Sequence, residues 1–122
     1  MRQGVDLVDI ADFRRRLEKQ SGLLERLFTP EERTYCETKS DPVPHLAARF
    51  AAKEAFFKAM GFANLRQLVW TEVGVINRYT GEPALSLAGE MAEAITAAGI
   101  HTCHVSLSHT SHSAIATVLL EG

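Results

Sequence analysis

At 122 residues, with 46% hydrophobic and 23% charged side chains and a net charge of −2, the chain has the composition of one globular domain and the wrong charge for a general nucleic-acid binder. No apolar run approaches the roughly 20 residues of a membrane span, and MRQGVDLVDI has no charged-then-apolar signal pattern, so a cytoplasmic protein is expected. Cys36 and Cys103 are too few for a disulfide framework and lack metal spacing; both read as reduced packing residues.

The chain opens with a strand, GVDLVDI, whose alternation sets Asp6 on one side with Val8 and Ile10, and Val5, Leu7 and Asp9 on the other. Asp9 stands at the strand's end, where it can cap the helix that follows. Asp6 lies mid-strand among branched apolar residues, where a carboxylate is unfavourable unless it meets a cation. Metal ligand and buried salt bridge are both open for it. Ala11 to Gln20 forms an amphipathic helix with Phe13 and Leu17 inward, stopped near Gly22. Arg14, Arg15 and Arg16 fan across its outer surface, as a solvated face or as a docking surface for an acidic partner. In TPEERTYCETK, Thr29 as N-cap, Pro30 and Glu32 make a capping box, to which no chemistry is assigned.

The strongest helix signal is LAARFAAKEAFFKAMG, Leu46 to Gly61, with Pro42 and Pro44 just before it and Gly61 able to cap its end. Leu46, Phe50, Phe56, Phe57 and Met60 form a bulky stripe; Ala47, Ala51 and Ala55 form a smooth face with Glu54 and Lys58 at its edge. Taken alone, Glu54 and Lys58 read as a surface ion pair worth about 0.3 to 0.5 kcal/mol. The helix is apolar or small nearly all round, however, and so belongs between layers, with Arg49 and Lys53 on its bulky side. Charges placed there need partners, which points to an anion and a metal.

Residues 63–68 read as a short turn or loop, WTEVGVIN as a strand headed by Trp70, RYTGEP as a turn and PALSL as the second strand of a hairpin. AGEMAEAITAAG is a helix ending at Gly99, and HTCHVSLSH and SAIATVLL are two strands joined by a polar turn from Thr110 to Ser113. This order predicts an α+β fold, helices packed on an antiparallel sheet, in a single domain over residues 1–122. His101, His104, His109 and His112 fit no common zinc pattern, and Ser106 and Ser108 lie on strands without a nucleophile elbow. Hydroxyls and imidazole at a strand end suit contacts to phosphate or ribose, or are simply a polar hairpin end.

Together, GVDLVDI, RFAAKEAFFKAMG and HVSLSHTSHSAIATVLLE, in this order and at these separations, resemble the short 4′-phosphopantetheinyl transferases, the holo-acyl-carrier-protein synthase family, over essentially the whole chain. The resemblance implies transfer of 4′-phosphopantetheine from coenzyme A to a serine of an apo acyl carrier protein, releasing adenosine 3′,5′-bisphosphate. It also implies dependence on magnesium and a homotrimer with active sites between subunits. The family's magnesium-binding carboxylates fall on Asp6 and Glu54, and its lysine, which neutralises the pyrophosphate or protonates the leaving phosphate, falls on Lys58. Arg49 matches an arginine that contacts coenzyme A phosphate, and His109 with Thr110 matches an element near the nucleotide. Asn77, Gly81 and Pro83 match a turn that leans on the neighbour's cofactor. The acidic carrier would dock against the basic first helix. Two positions depart from the family pattern. Val5 stands where Thr or Gly-Thr is usual, and Gly61-Phe62-Ala63 replaces Gly-Thr-Gly, in a loop whose backbone would approach coenzyme A closely. A non-catalytic nucleotide-binding trimer, or hydrolysis of coenzyme A without transfer, are the alternative readings.

Overall fold

Helix α4 (Pro42–Met60) is the element on which the others are packed, in a computed structural model that describes residues 1–62 and 68–122. It begins at Pro42, not at Leu46. The Asp41 side chain accepts from the Val43 N–H at 3.2 Å, and prolines in a first turn lack only donors that no helical carbonyl would have bonded. The helix ends at Gly61, whose φ of 77° lets its N–H and that of Phe62 turn back onto the last carbonyls.

The first strand, β1 (Arg2–Asp9), leads directly into α1 (Ile10–Lys19), with Asp9 accepting from the Asp12 N–H at 2.9 Å. Two helices follow, α2 (Leu23–Leu27) and α3 (Pro30–Glu37); α2 was not foreseen from the sequence, and the capping box of α3 is formed. After α4, Trp70–Glu72 makes a 3₁₀ turn where the sequence suggested the head of a strand, because Glu72 N bonds back to Val69 O. Next come β2 (Val73–Asn77), β3 (Pro83–Leu87), α5 (Gly89–Ala97), β4 (Thr102–His109) and β5 (Ser113–Glu121). The loop expected at 63–68 lies, Leu68 apart, outside the described residues.

The fold is α+β as expected, with the strands in two antiparallel sheets: β1-β5-β4 and the hairpin β2-β3, whose β3 lies beside β4. The register aligns Asp6 with Ala116 and Ala116 with Leu107, so Asp6 faces inward beside the buried Ala116. Helix α4 lies across this inner face with Ala47, Ala51 and Ala55 all buried. Gly4 allows the close approach, since a Cβ there would collide with the Ala55 carbonyl oxygen and sit 3.0 Å from Ala59 N. On the bulky side, Phe50 stacks on Phe13 and on Trp70, each at 5.1 Å between ring centroids, and Phe57 meets Trp70 edge-on at 5.0 Å. No helix among the described residues is long and apolar enough to cross a membrane.

Candidate active site

Because α4 lies on β1 at Gly4, the inward-facing Asp6 meets the edge of α4 that carries Glu54 and Lys58. The Lys58 Nζ stands 2.7 Å from Asp6 Oδ1 and 3.2 Å from the Val5 carbonyl. Asp6 is 8% exposed, and its Oδ2 is buried without a hydrogen-bond partner among the described residues. Glu54 stands beside Asp6 at this site, and its pKa is pushed from the ordinary 4.5 to about 7. Burial is the largest cause and the Asp6 charge the next, with Lys58 and Arg16 pulling the other way. Lys58 is raised in turn, chiefly by its hydrogen bond to Asp6. Two carboxyls thus share one ammonium, and the site is short of positive charge.

The described residues hold no group of three or more His, Cys, Asp and Glu that could bind a metal ion. Magnesium does not need one, because it keeps several waters and commonly takes one or two carboxylates plus substrate phosphate oxygens. An orphaned, buried carboxylate oxygen beside a second carboxyl that retains its proton near neutrality fits such an ion.

A second cluster surrounds Arg49. This side chain is 3% exposed, lies with its guanidinium 4.6 Å from the Tyr35 ring centroid, and donates to the His45 carbonyl at 3.1 Å and to Asn77 Oδ1 at 2.7 Å. Asn77 then donates to the Gly81 carbonyl at 3.2 Å, tying Arg49 to the turn before Pro83. Together with Ser108 and His109 these groups line a cleft of about 180 Å³. The structure therefore brings Arg49, Asn77, Pro83 and His109 together. It does not bring Thr110 there: its Oγ1 accepts from the His112 and Ser113 N–H groups at 3.1 Å and is engaged in the hairpin turn. Gly61 serves as the C-cap of α4, and the Ala63 next to its neighbour Phe62 lies outside the described residues.

Sequence reasoning passed over two members of these clusters. His45 lies in the first turn of α4, ahead of the start expected for that helix, and its ring meets that of His109 with centroids 5.0 Å apart. Glu32 looked fully accounted for by the capping box. It also receives the buried ammonium of Lys53 at 2.8 Å and the Val75 N–H at 2.9 Å. The three arginines of α1 part company as well. Arg14 forms a two-bonded pair with Asp41 at 2.7 and 3.3 Å, Arg15 pairs with Asp12, and Arg16 lies 5.5 Å over the Phe50 ring beside Glu54.

A family model described as the 4′-phosphopantetheinyl transferase superfamily matches residues 2–118. The holo-[acyl-carrier-protein] synthase of Syntrophotalea carbinolica is 47% identical over 120 residues, covering 98% of this chain and 94% of that one. Among solved structures, the ACPS-CoA complex of Chronobacterium ammoniagenes superposes with a TM-score of 0.85 at 34% identity, covering 98% of this chain and 95% of the other. The holo-[acyl-carrier-protein] synthase of Neisseria meningitidis does so with a TM-score of 0.87 at 28% identity, covering 99% and 98%.

Proposed function

The chain belongs to the 4′-phosphopantetheinyl transferase superfamily, and from that premise we propose that it transfers 4′-phosphopantetheine from coenzyme A to a serine hydroxyl of an apo acyl carrier protein, releasing adenosine 3′,5′-bisphosphate. The observation that carries this reading is the meeting of Asp6, Glu54 and Lys58 where β1 crosses α4, with Oδ2 of Asp6 buried and unpartnered among the described residues and the Glu54 carboxyl raised to about 7. Asp6 and Glu54 would hold magnesium, which when bound supplies positive charge against the pyrophosphate oxygens.

The residues around them divide the remaining work. The Lys58 side chain is 55% exposed, so its ammonium can leave Asp6 for an anion at the mouth of the site, where it neutralises the leaving phosphate and can donate a proton to it. We assign the serine proton to Glu54, the carboxylate that stands beside Asp6 at the mouth of the site. Arg49, held by His45 and Asn77, offers the phosphates of the nucleotide end a guanidinium already fixed in direction.

Assembly as a homotrimer, with the site between copies, is part of the same proposal. Around α4, Arg49 and His45 point roughly 140 to 180° away from Glu54 and Lys58 at 3.6 residues per turn. One extended substrate reaches both clusters more readily if they come from different copies. The outer face of the three-stranded sheet leaves Val5 52%, Leu7 67% and Ile115 39% exposed, which is apolar surface a neighbour could cover. We place the reaction in the cytoplasm, carried out by one domain over residues 1–122.

Mass spectrometry of an apo acyl carrier protein mixed with the protein, coenzyme A and magnesium tests the proposal. A carrier heavier by one phosphopantetheine supports transfer. Adenosine bisphosphate without that gain would mean hydrolysis, and neither product would leave a nucleotide-binding protein without turnover.

A further inference from the structure

Hairpin strand β2 pairs with β3 along one edge and, among the described residues, with no strand along the other. Val73, Gly74 and Val75 are all buried, so the backbone groups on that free edge need partners other than water. Lys53 and Glu32 take the place of a third strand. Lys53 Nζ donates to the Val73 carbonyl at 2.6 Å, and Glu32 Oε2 accepts the Val75 N–H at 2.9 Å. The other two donors of the ammonium go to Glu32 Oε1 at 2.8 Å and to the Trp70 carbonyl at 3.2 Å, so none is left over.

Asn77 comes two residues beyond Val75, on the same face of the strand. Its Oδ1 receives Arg49 Nη2 at 2.7 Å, one helical turn from Lys53 on α4. Helix and strand are thus joined twice, by an ion pair away from the cleft and by a neutral acceptor within it. The first join sets the second. With Val73 and Val75 held, about 7 Å of extended strand leads to Asn77, too little to absorb a shift. A buried ion pair is a poor source of net stability beside apolar side chains of the same volume, but those would give the strand edge nothing to bond.

We infer that Lys53 and Glu32 are positioning residues for the reaction: by holding the free edge of β2 they fix where Asn77 receives Arg49, and so aim the guanidinium at the anion it meets. The inference rests on the coenzyme A reading, in which that anion is a phosphate at the nucleotide end. Neither side chain touches substrate, and the edge of α4 that carries Glu54 and Lys58 does not depend on them. Loss of the pair therefore weakens coenzyme A binding and spares the chemical step.

The test compares the parent with Lys53→Met/Glu32→Gln, in which no buried charge is left unpaired, and with Glu32→Asp, which keeps the charges but is too short to hold Lys53 and the Val75 N–H together. Each is also made with Asn77→Ala. Circular dichroism and the fluorescence of Trp70, the single tryptophan, find the temperature at which the variants are folded. Transfer kinetics with an apo acyl carrier protein and magnesium, and NMR of the Arg49 and Asn77 side chains, are recorded there. KM for coenzyme A should rise about 10-fold in the double variant and roughly 3-fold in Glu32→Asp, with kcat within about 2-fold of the parent. Asn77→Ala should raise that KM about 10-fold in the parent but less than about 2-fold in the double variant, because both changes remove one alignment. If the double variant does not fold, Glu32→Asp with and without Asn77→Ala carries the same comparison. A full Asn77→Ala effect in the pair variants, or a loss confined to kcat, would overturn the inference and leave the coenzyme A reading standing. If the parent binds no coenzyme A, Arg49 and Asn77 resonances that move when the pair is changed uphold the positioning role while the coenzyme A reading falls. Unmoved resonances in that case refute both.

Discussion

The ammonium of Lys53 lies 2.8 Å from Oε1 of Glu32, and neither side chain is open to solvent. Lys53 also donates to the Val73 carbonyl at 2.6 Å and to the Trp70 carbonyl at 3.2 Å, while Glu32 holds the N–H groups of Thr29 and Val75. One buried pair therefore fastens α3, α4, the 3₁₀ turn and β2, and β2 carries Asn77 to Arg49. Lys53→Met leaves Glu32 without its cation and should destabilise the fold by about 3 to 5 kcal/mol. Urea denaturation measures this, and Lys53→Met with Glu32→Gln should recover at least about 1 kcal/mol of the loss, because no unpaired charge then remains buried.

Asp6→Asn and Glu54→Gln should each lower phosphopantetheine transfer by roughly 100-fold or more while circular dichroism stays unchanged. Each keeps the shape and removes charge that would hold magnesium. Transfer by both variants at the parent's rate under limiting magnesium would sink the metal assignment.

Glu54 predicts a pH dependence of stability whose sign is opposite to that of a salt-bridged carboxylate. Its folded pKa of about 7 lies above the ordinary 4.5, so between these values the unfolded chain releases a proton that the folded one keeps. Metal-free protein should therefore lose stability as pH rises from 4.5 to 7 and level off above. With solvent screening of a half-buried group, the loss is about 1 to 2 kcal/mol. Denaturation curves of Glu54→Gln should lack that part of the slope, and magnesium should restore the parent at pH 8.

What could be read from the sequence followed from local periodicity. Alternation turned Asp6 inward, and a four-residue step put Glu54 and Lys58 on one edge of a helix, so the carboxylate cluster needed no tertiary information beyond the meeting of strand and helix. Spacing and strand position, equally local, argued against zinc at the histidines and a serine nucleophile at Ser106 or Ser108. What escaped depended on a second element. The capping box explained Glu32 completely until Lys53 arrived from another helix. His45 was hidden by the prolines, which mark a first turn as readily as a boundary. The arginine fan gave no sign that Arg14 would be taken by Asp41 or Arg16 by Phe50.

Those separate fates sharpen the carrier prediction. Arg15 is exposed and, among the described residues, bound only to Asp12 of its own helix, so Arg15→Glu should raise KM for an acidic carrier by roughly 5-fold at low salt while KM for coenzyme A stays put. Salt should mimic part of this in the parent as the screening length shortens to about 8 Å near physiological strength. Arg14→Glu should also lower thermal stability, because it releases the N-cap of α4. Unchanged carrier kinetics for Arg15→Glu at low salt would move the docking face elsewhere.

Gly4→Ala should cost about 1 to 3 kcal/mol, since the methyl group meets backbone of α4 that cannot rotate away. Activity should fall further than stability alone explains, because β1 lifts and Asp6 leaves Glu54 and Lys58. A melting curve and a rate measured well below the melting point separate the two effects.

The opposed directions of Arg49 and Glu54 on one helix have a genetic corollary in the proposed trimer. An allele that destroys the carboxylate side of α4 and one that destroys the cleft side are complementary: each supplies what the other lacks. Co-expressed, two inactive chains would assemble mixed rings in which one junction joins an intact carboxylate edge to a neighbour's intact cleft. Partial activity would then return from two null proteins, whereas two alleles damaged on the same side would stay silent in every combination.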